Sequence, residues 1–263
     1  MVGAKYMTLL LFMPVMFDTF ETNSNDIIQL FINHRIQELI TGWHPDPQEI
    51  LSFLKNQTKK AYPEMLKNKT ILSMYISEEK EIIQNITNMN VTGKYNFYRF
   101  EDFAMAVVKI NKSTADDRVL NTSKLLNDTK APHIWIPVEP FLNVSDEESR
   151  VGVVVYDSDE LFTLGLKNAT ITSKVIRIEV PGRDIVNLTD RLIIQFPVNK
   201  TTINTTYSCQ FYDEEDDTWK KDGCFTKQIS DYVVNCSCDH MTAFAVLLVR
   251  TYRDFPFNSL NNN

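Results

Sequence analysis

Between residues 25 and 90 the apolar positions recur with a helical period. Ile28, Phe31, Ile32, Ile36, Leu39 and Ile40 share one stripe, with Asn25 or Asp26 placed to cap it and Gly42 to end it. The stretch "HPDPQEILSFLKNQTKKAYPEMLK" predicts a second helix, with Asp46 as cap, Pro47 at the first helical position and Pro63 as a break or restart. A third helix is predicted over residues 71–88, carrying Tyr75, Ile82, Ile83 and Ile86. Together these segments predict a small helical bundle.

Beyond Thr92-Gly93 the pattern changes. "FAMAVVKI", "HIWIPV", "RVGVVVY", "KVIRIEV", "RLIIQF" and "TYSCQFY" are short β-branched or aromatic runs bounded by turn-forming residues. Ile176, Ile178 and Val180 alternate with Arg177 and Glu179, and Leu192, Ile194 and Phe196 alternate likewise. Such strands predict an antiparallel β-sandwich. The expected fold class is α+β, with a helical subdomain over residues 25–95 and a sandwich over 96–250. "TAFAVLLV", from Thr242 on, is apolar at seven positions in a row after its threonine, as a strand covered on both faces would be.

Composition narrows the compartment. Asn-X-Ser/Thr sequons stand at Asn56, Asn68, Asn85, Asn90, Asn111, Asn121, Asn127, Asn143, Asn168, Asn187, Asn199, Asn204 and Asn235. That is 13 of 22 asparagines, whereas Ser and Thr at 37 of 263 positions would place about three by chance. Four cysteines fall within 209–238. Both signals predict the secretory pathway. The net charge of −7 argues against nucleic acid, and no apolar run reaches the roughly 18 residues of a spanning helix. Residues 1–24 read equally as a signal peptide, with one basic residue before an apolar run that Pro14 interrupts, or as an N-terminal extension or first helix.

Two chemistries compete for the cysteines. Cys236-x-Cys238-x-His240 with Cys209 or Cys224 would suit tetrahedral zinc, but the spacing lacks the usual knuckle, and a glycosylating compartment oxidises thiols. Disulfides are therefore favoured, pinning the last three strands; no metal or cofactor is expected. The trio His240-Met241-Thr242 means little alone, since a histidine beside a threonine in a strand is usually structural.

Its surroundings change that. Cys209, Trp219, Gly223-Cys224, Cys236-x-Cys238 and His240-x-Thr242 followed by Phe244-Ala245 fall in the order of the GPS proteolysis-site motif, here residues 207–250. This part of the chain resembles the GAIN domain of adhesion G-protein-coupled receptors, and less closely that of polycystin-type proteins. The likeness is carried over about residues 97–250 and is only architectural over 25–95. It implies disulfides among Cys209, Cys236, Cys224 and Cys238, and self-cleavage between Met241 and Thr242. Asp239 departs from the asparagine the family often has there, and Met241 from its usual leucine.

The chemistry needs these residue types. The Thr242 hydroxyl can reach the Met241 carbonyl through a five-membered ring, giving an ester that water hydrolyses, with His240 as general base and then acid. Because every threonine has that reach, a turn that weakens amide resonance is also required. The event is a single turnover, not enzyme catalysis. The resemblance further implies that the strand bearing Thr242, Phe244, Val246 and Leu247 stays in the sheet as a tethered agonist. Implied partners are this chain's own C-terminal fragment, a seven-helix membrane region absent from the sequence, and an unknown extracellular ligand. Residues 251–263 would lead toward that region from the extracellular face of the plasma membrane, or the product would be secreted if the chain truly ends there. The alternatives are a non-cleaving structural or adhesive module and a polycystin-type ectodomain.

Overall fold

The computed structural model describes residues 46, 48, 51–52, 68–100, 102–113, 119–123, 131–145, 149–163, 166, 168–200 and 205–250. The stripe beginning at Ile28, the segments 1–24 and 251–263, and Asn56, Asn127 and Asn204 lie outside these residues. Of the expected second helix, Asp46 accepts the Gln48 N–H at 3.0 Å through Oδ1, and Leu51 is fully buried.

Helix α1 spans Lys69–Thr87. Asn68 caps it, its Oδ1 accepting the N–H groups of Thr70 and Ile71 at 3.1 and 3.3 Å, which satisfies two donors the first turn leaves open. The Ile71, Tyr75, Ile82, Ile83 and Ile86 stripe faces inward. Thirteen strands follow among the described residues: β1 (Tyr95–Arg99), β2 (Phe103–Lys109), β3 (Val119–Asn121), β4 (His133–Trp135), β5 (Arg150–Tyr156), β6 (Ala169–Ile171), β7 (Val175–Glu179), β8 (Leu192–Pro197), β9 (Thr205–Asp213), β10 (Thr218–Lys220), β11 (Cys224–Ser230), β12 (Val233–Cys238) and β13 (Ala243–Arg250).

They form two antiparallel sheets. The larger runs β1-β2-β5-β7-β13-β9-β10, with β6 also pairing β13; the smaller runs β11-β12-β8-β4-β3. Helix α1 lies on the outer face of the larger sheet, so the described region has three layers and two apolar seams. One seam joins α1 to Met105, Val154, Tyr156, Ala243, Ala245 and Leu247. The other, between the sheets, holds Val153, Ile176, Ile194, Phe196, Cys236, Phe244 and Val246. Close approach of the helix explains Gly152 in β5, where an added Cβ would come within 2.4 Å of the Thr87 hydroxyl.

The third layer changes what strand alternation means. In β7 the polar positions that alternate with Ile176 and Ile178 do not meet solvent: Arg177 is fully buried and Glu179 is 6% exposed, because α1 covers them. The guanidinium pairs with Glu179 at 3.0 Å and Glu214 at 2.6 Å. From the helix, buried Glu79 accepts the hydroxyls of Tyr75, at 2.9 Å, and Tyr156. Burial opposes charge on Arg177, but Tyr156, Glu214, Glu179 and Glu79 outweigh it and hold its pKa above the ordinary value.

Candidate functional site

Strand β12 ends at Cys238 and β13 begins at Ala243, so Asp239, His240, Met241 and Thr242 form the connection between a strand of the smaller sheet and a central strand of the larger one. Both ends are stapled. Cys209–Cys236 ties β9, which pairs with β13 along its whole length, across the sandwich to β12. Cys224–Cys238 ties β11 to β12 at directly opposed positions. With all four sulfurs in bridges, no thiolate is left for zinc.

Main-chain bonds hold the connection on both sides. Asp239 donates its N–H to the Gly223 carbonyl at 3.1 Å and accepts from Leu188 N–H at 2.7 Å. Met241 N–H donates to the Ile185 carbonyl at 3.0 Å, and the Thr242 carbonyl accepts from Ile178 N–H at 2.9 Å. The 185–190 loop that supplies two of these partners is itself clamped: the Glu139 carboxylate accepts the N–H groups of Thr189 and Asp190 at 2.9 and 2.8 Å. Those bonds, the Asp190 one foremost, hold its pKa below the usual carboxylate value.

The side chains follow. The His240 ring lies edge-on to Phe211 at 4.4 Å between centroids and at 5.3 Å from Phe244. Its Nδ1 stands 2.9 Å from Asp239 Oδ1. An ionised carboxylate only accepts, so the hydrogen is placed on Nδ1 and the lone pair on Nε2. Nε2 is buried and has no hydrogen-bond partner among the described residues, which leaves its lone pair unused. Arg191 stands 3.4 Å from the other Asp239 oxygen and donates to the Gly223 and Ser237 carbonyls at 2.8 and 3.0 Å. Gly223 has φ +72°, and a Cβ there would fall 2.2 Å from Asp239 Oδ1. Only glycine fits both the backbone and the carboxylate.

Met241 is buried in the seam between the sheets and Thr242 is half-buried. No hydrogen bond joins His240 to Thr242. Phe244 and Val246 point into the inter-sheet seam while Leu247 faces α1. Trp219 lies apart from the trio: its Nε1 donates to the Phe162 carbonyl at 2.7 Å within an aromatic group that includes Tyr212. Among the described sequons, Asn68, Asn85, Asn90, Asn111, Asn121, Asn143, Asn168, Asn187 and Asn199 are exposed and Asn235 is half-buried. Asp239, Arg191 and the Glu139 clamp were not singled out from sequence. Asp239 stood beside the histidine as a departure from pattern, whereas the other two are distant along the chain.

Comparison with known proteins bears on the same residues. The GAIN subdomain B family, GPS, matches residues 101–251. The chain is similar to the adhesion G-protein coupled receptor G1 of Danio rerio, 28% identical over 120 residues, covering 44% of this chain and 18% of that protein. It is also similar to adhesion G-protein coupled receptor G5 of Mus musculus, 29% identical over 181 residues, covering 65% of this chain and 34% of the relative. The chain thus spans about a third or less of these relatives. The full extracellular region of zebrafish Gpr126/Adgrg6 shares the fold, with a TM-score of 0.55 at 13% identity over 84% of this chain and 32% of that one.

Proposed function

This chain belongs to the GAIN subdomain B (GPS) family, and from that premise we propose that it is an extracellular receptor module that cuts its own backbone between Met241 and Thr242. The observation that carries the proposal is the Asp239–His240 pair, whose free Nε2 is fixed in the connection that bears the threonine. His240 Nε2 takes the Thr242 hydroxyl proton as Oγ1 bonds to the Met241 carbonyl carbon. The C–N bond breaks as the imidazolium returns that proton to the nitrogen, leaving an ester on Oγ1 and a free amine. Water then hydrolyses the ester, so the products are a Met241 carboxylate and an N-terminal Thr242. Asp239 keeps the hydrogen on Nδ1 and stabilises the imidazolium between the two proton transfers.

After the cut, β13 remains paired with β9, β7 and β6. The relatives named above are adhesion receptors, and in such a receptor the held strand would serve as a tethered agonist, its Thr242, Phe244, Val246 and Leu247 entering a seven-helix region once drawn out. No helix among the described residues is long and apolar enough to cross a membrane.

The test is a denaturing gel of secreted, deglycosylated protein. A C-terminal fragment whose first residue is Thr242 by N-terminal sequencing is expected, lost in Thr242→Ala and retained in Thr242→Ser. An uncut wild-type chain overturns the proposal. It would favour a second reading, an inert structural module, for which the missing His240–Thr242 hydrogen bond is the specific support.

A further inference from the structure

The outer face of the smaller sheet carries a largely apolar row that the described fold leaves partly exposed. Strand register places Val119, Trp135, Ile193, Ser237 and Phe225 side by side across β3, β4, β8, β12 and β11. Phe225 is 65% exposed and Trp135 36%. Arg191 lies 4.5 Å over the Phe225 ring, and the His133 ring stands 6.3 Å from that of Trp135, yet both aromatics keep this exposure. An exposed apolar band on a sheet whose edge strands are β3 and β11 is an aggregation liability unless something occupies it.

The neighbouring row identifies the occupant. It reads Asn121, His133, Gln195, Asn235 and Lys227, in the same register and on the same face. Two of its members are sequon asparagines. Asn121 is diagonal to Trp135, and Asn235 is diagonal to both Ile193 and Phe225, within reach of a group carried on the side chain. Both present the correct atom. Asn121 Oδ1 is engaged by the Ser123 N–H at 2.9 Å, which frees Nδ2. Asn235 Oδ1 is buried without a partner, which leaves Nδ2 as the end that meets solvent. The two asparagines are three strand spacings apart, about 14 Å, so groups attached to them flank the row from both ends.

We propose that N-glycans on Asn121 and Asn235 lie across this row, their first N-acetylglucosamine residues packing C–H faces on Trp135 and Phe225, so that the chain closes its own apolar face with sugar. The proposal rests on the extracellular assignment but not on cleavage. A pyranose ring offers apolar C–H groups to an aromatic face while its hydroxyls stay in water, so it covers such a ring without burying unsatisfied polar groups. The same glycans block addition of a further strand at either edge of the sheet. They also exclude a second copy of the chain from this face.

The experiment uses the secreted full chain carrying Thr242→Ala, so that cutting plays no part. Glycopeptide mass spectrometry is expected to find both sites occupied. Trimming to a single N-acetylglucosamine should leave the melting temperature unchanged. Asn121→Gln with Asn235→Gln should lower it by about 2–4 °C, the response of a domain this size to loss of one modest contact, and should raise binding of an apolar dye. In a Trp135→Ala, Phe225→Ala background the glycosylation variants should have no further effect. The proposal is overturned if these two sites are empty while other exposed sequons are filled, if the variants melt like the parent, or if their loss persists without the aromatic rings. A fully glycosylated chain that dimerises through this face overturns it as well. If no sequon is filled anywhere, the extracellular assignment itself fails, which is a distinguishable result.

Discussion

Gly223→Ala probes the coupling between the second disulfide hairpin and the proposed base. Two costs can be separated. An alanine held at φ +72° carries about 1–2 kcal/mol of backbone strain, partly offset by the roughly 0.4–1 kcal/mol gained from a stiffer unfolded chain. The second cost comes from its Cβ, which would occupy the place of Asp239 Oδ1. Moving that carboxylate breaks its bond to His240, worth about 1.5–3 kcal/mol for a charged partner, with the lower end apt because Asp239 is 29% exposed. Together these predict a loss of about 2–3 kcal/mol, or roughly 4–12 °C in melting temperature. Loss of the orienting bond should also slow cleavage about ten- to a hundredfold. The assay pairs thermal melts in the Thr242→Ala chain with cleavage time courses in the cleavable one, each repeated with Asp239→Ala. In the Asp239→Ala background only the backbone strain should remain, so the alanine should cost about 1 kcal/mol or less. Equal losses in both backgrounds, or an unchanged cleavage rate, would refute the coupling.

Three further outcomes are expected. Glu139 has a folded pKa below its ordinary 4.5, so its clamp on the 185–190 loop stabilises above that pH and is lost as pH falls through the lower folded value; melts at pH 3 and 6 should differ less in Glu139→Gln than in the parent. Each disulfide should contribute about 3 kcal/mol, and removing Cys209–Cys236, whose partners are 27 positions apart in sequence against 14 for Cys224–Cys238, should cost roughly 0.6 kcal/mol more in chemical denaturation of paired serine variants. Arg177→Met should destabilise by about 3–5 kcal/mol by leaving Glu79, Glu179 and Glu214 without their counter-charge, and Glu179→Gln added to it should recover part of that loss.

The fold was legible wherever local pattern and burial agreed. The 71–88 prediction meets a helix at Lys69–Thr87, and the six quoted apolar runs all contain strands. β11 was not legible because it is an edge strand whose residues beyond Cys224 are all exposed, so it carries no buried alternation. The burial of Arg177 and Glu179 was illegible for the opposite reason, since their polar period faces a helix packed above, information held ninety or more residues away along the chain. In the site, it was the resemblance to the proteolysis-site motif, rather than spacing, that singled out the trio and implied the disulfides. What sets the histidine's tautomer did not appear there, because Asp239 acquires its role through Gly223 and Arg191, which only the fold brings beside it.

The same packing decides what a cut at Met241 can release. Phe244, Val246 and Leu247 are each at most 1% exposed, and burying side chains of this size is worth about 1.5–3 kcal/mol apiece. Those three alone therefore hold β13 by about 5–9 kcal/mol, before its eight paired positions on β9 are considered. A domain's whole net stability is about 5–15 kcal/mol. Withdrawing the strand and unfolding the sandwich are thus one event, because β13 contributes to both apolar seams and removing it opens each of them to water. Breaking one peptide bond in the connection changes none of these contacts. It converts a strand joined at both ends into one held by packing and pairing alone, so its release would require opening the whole sandwich.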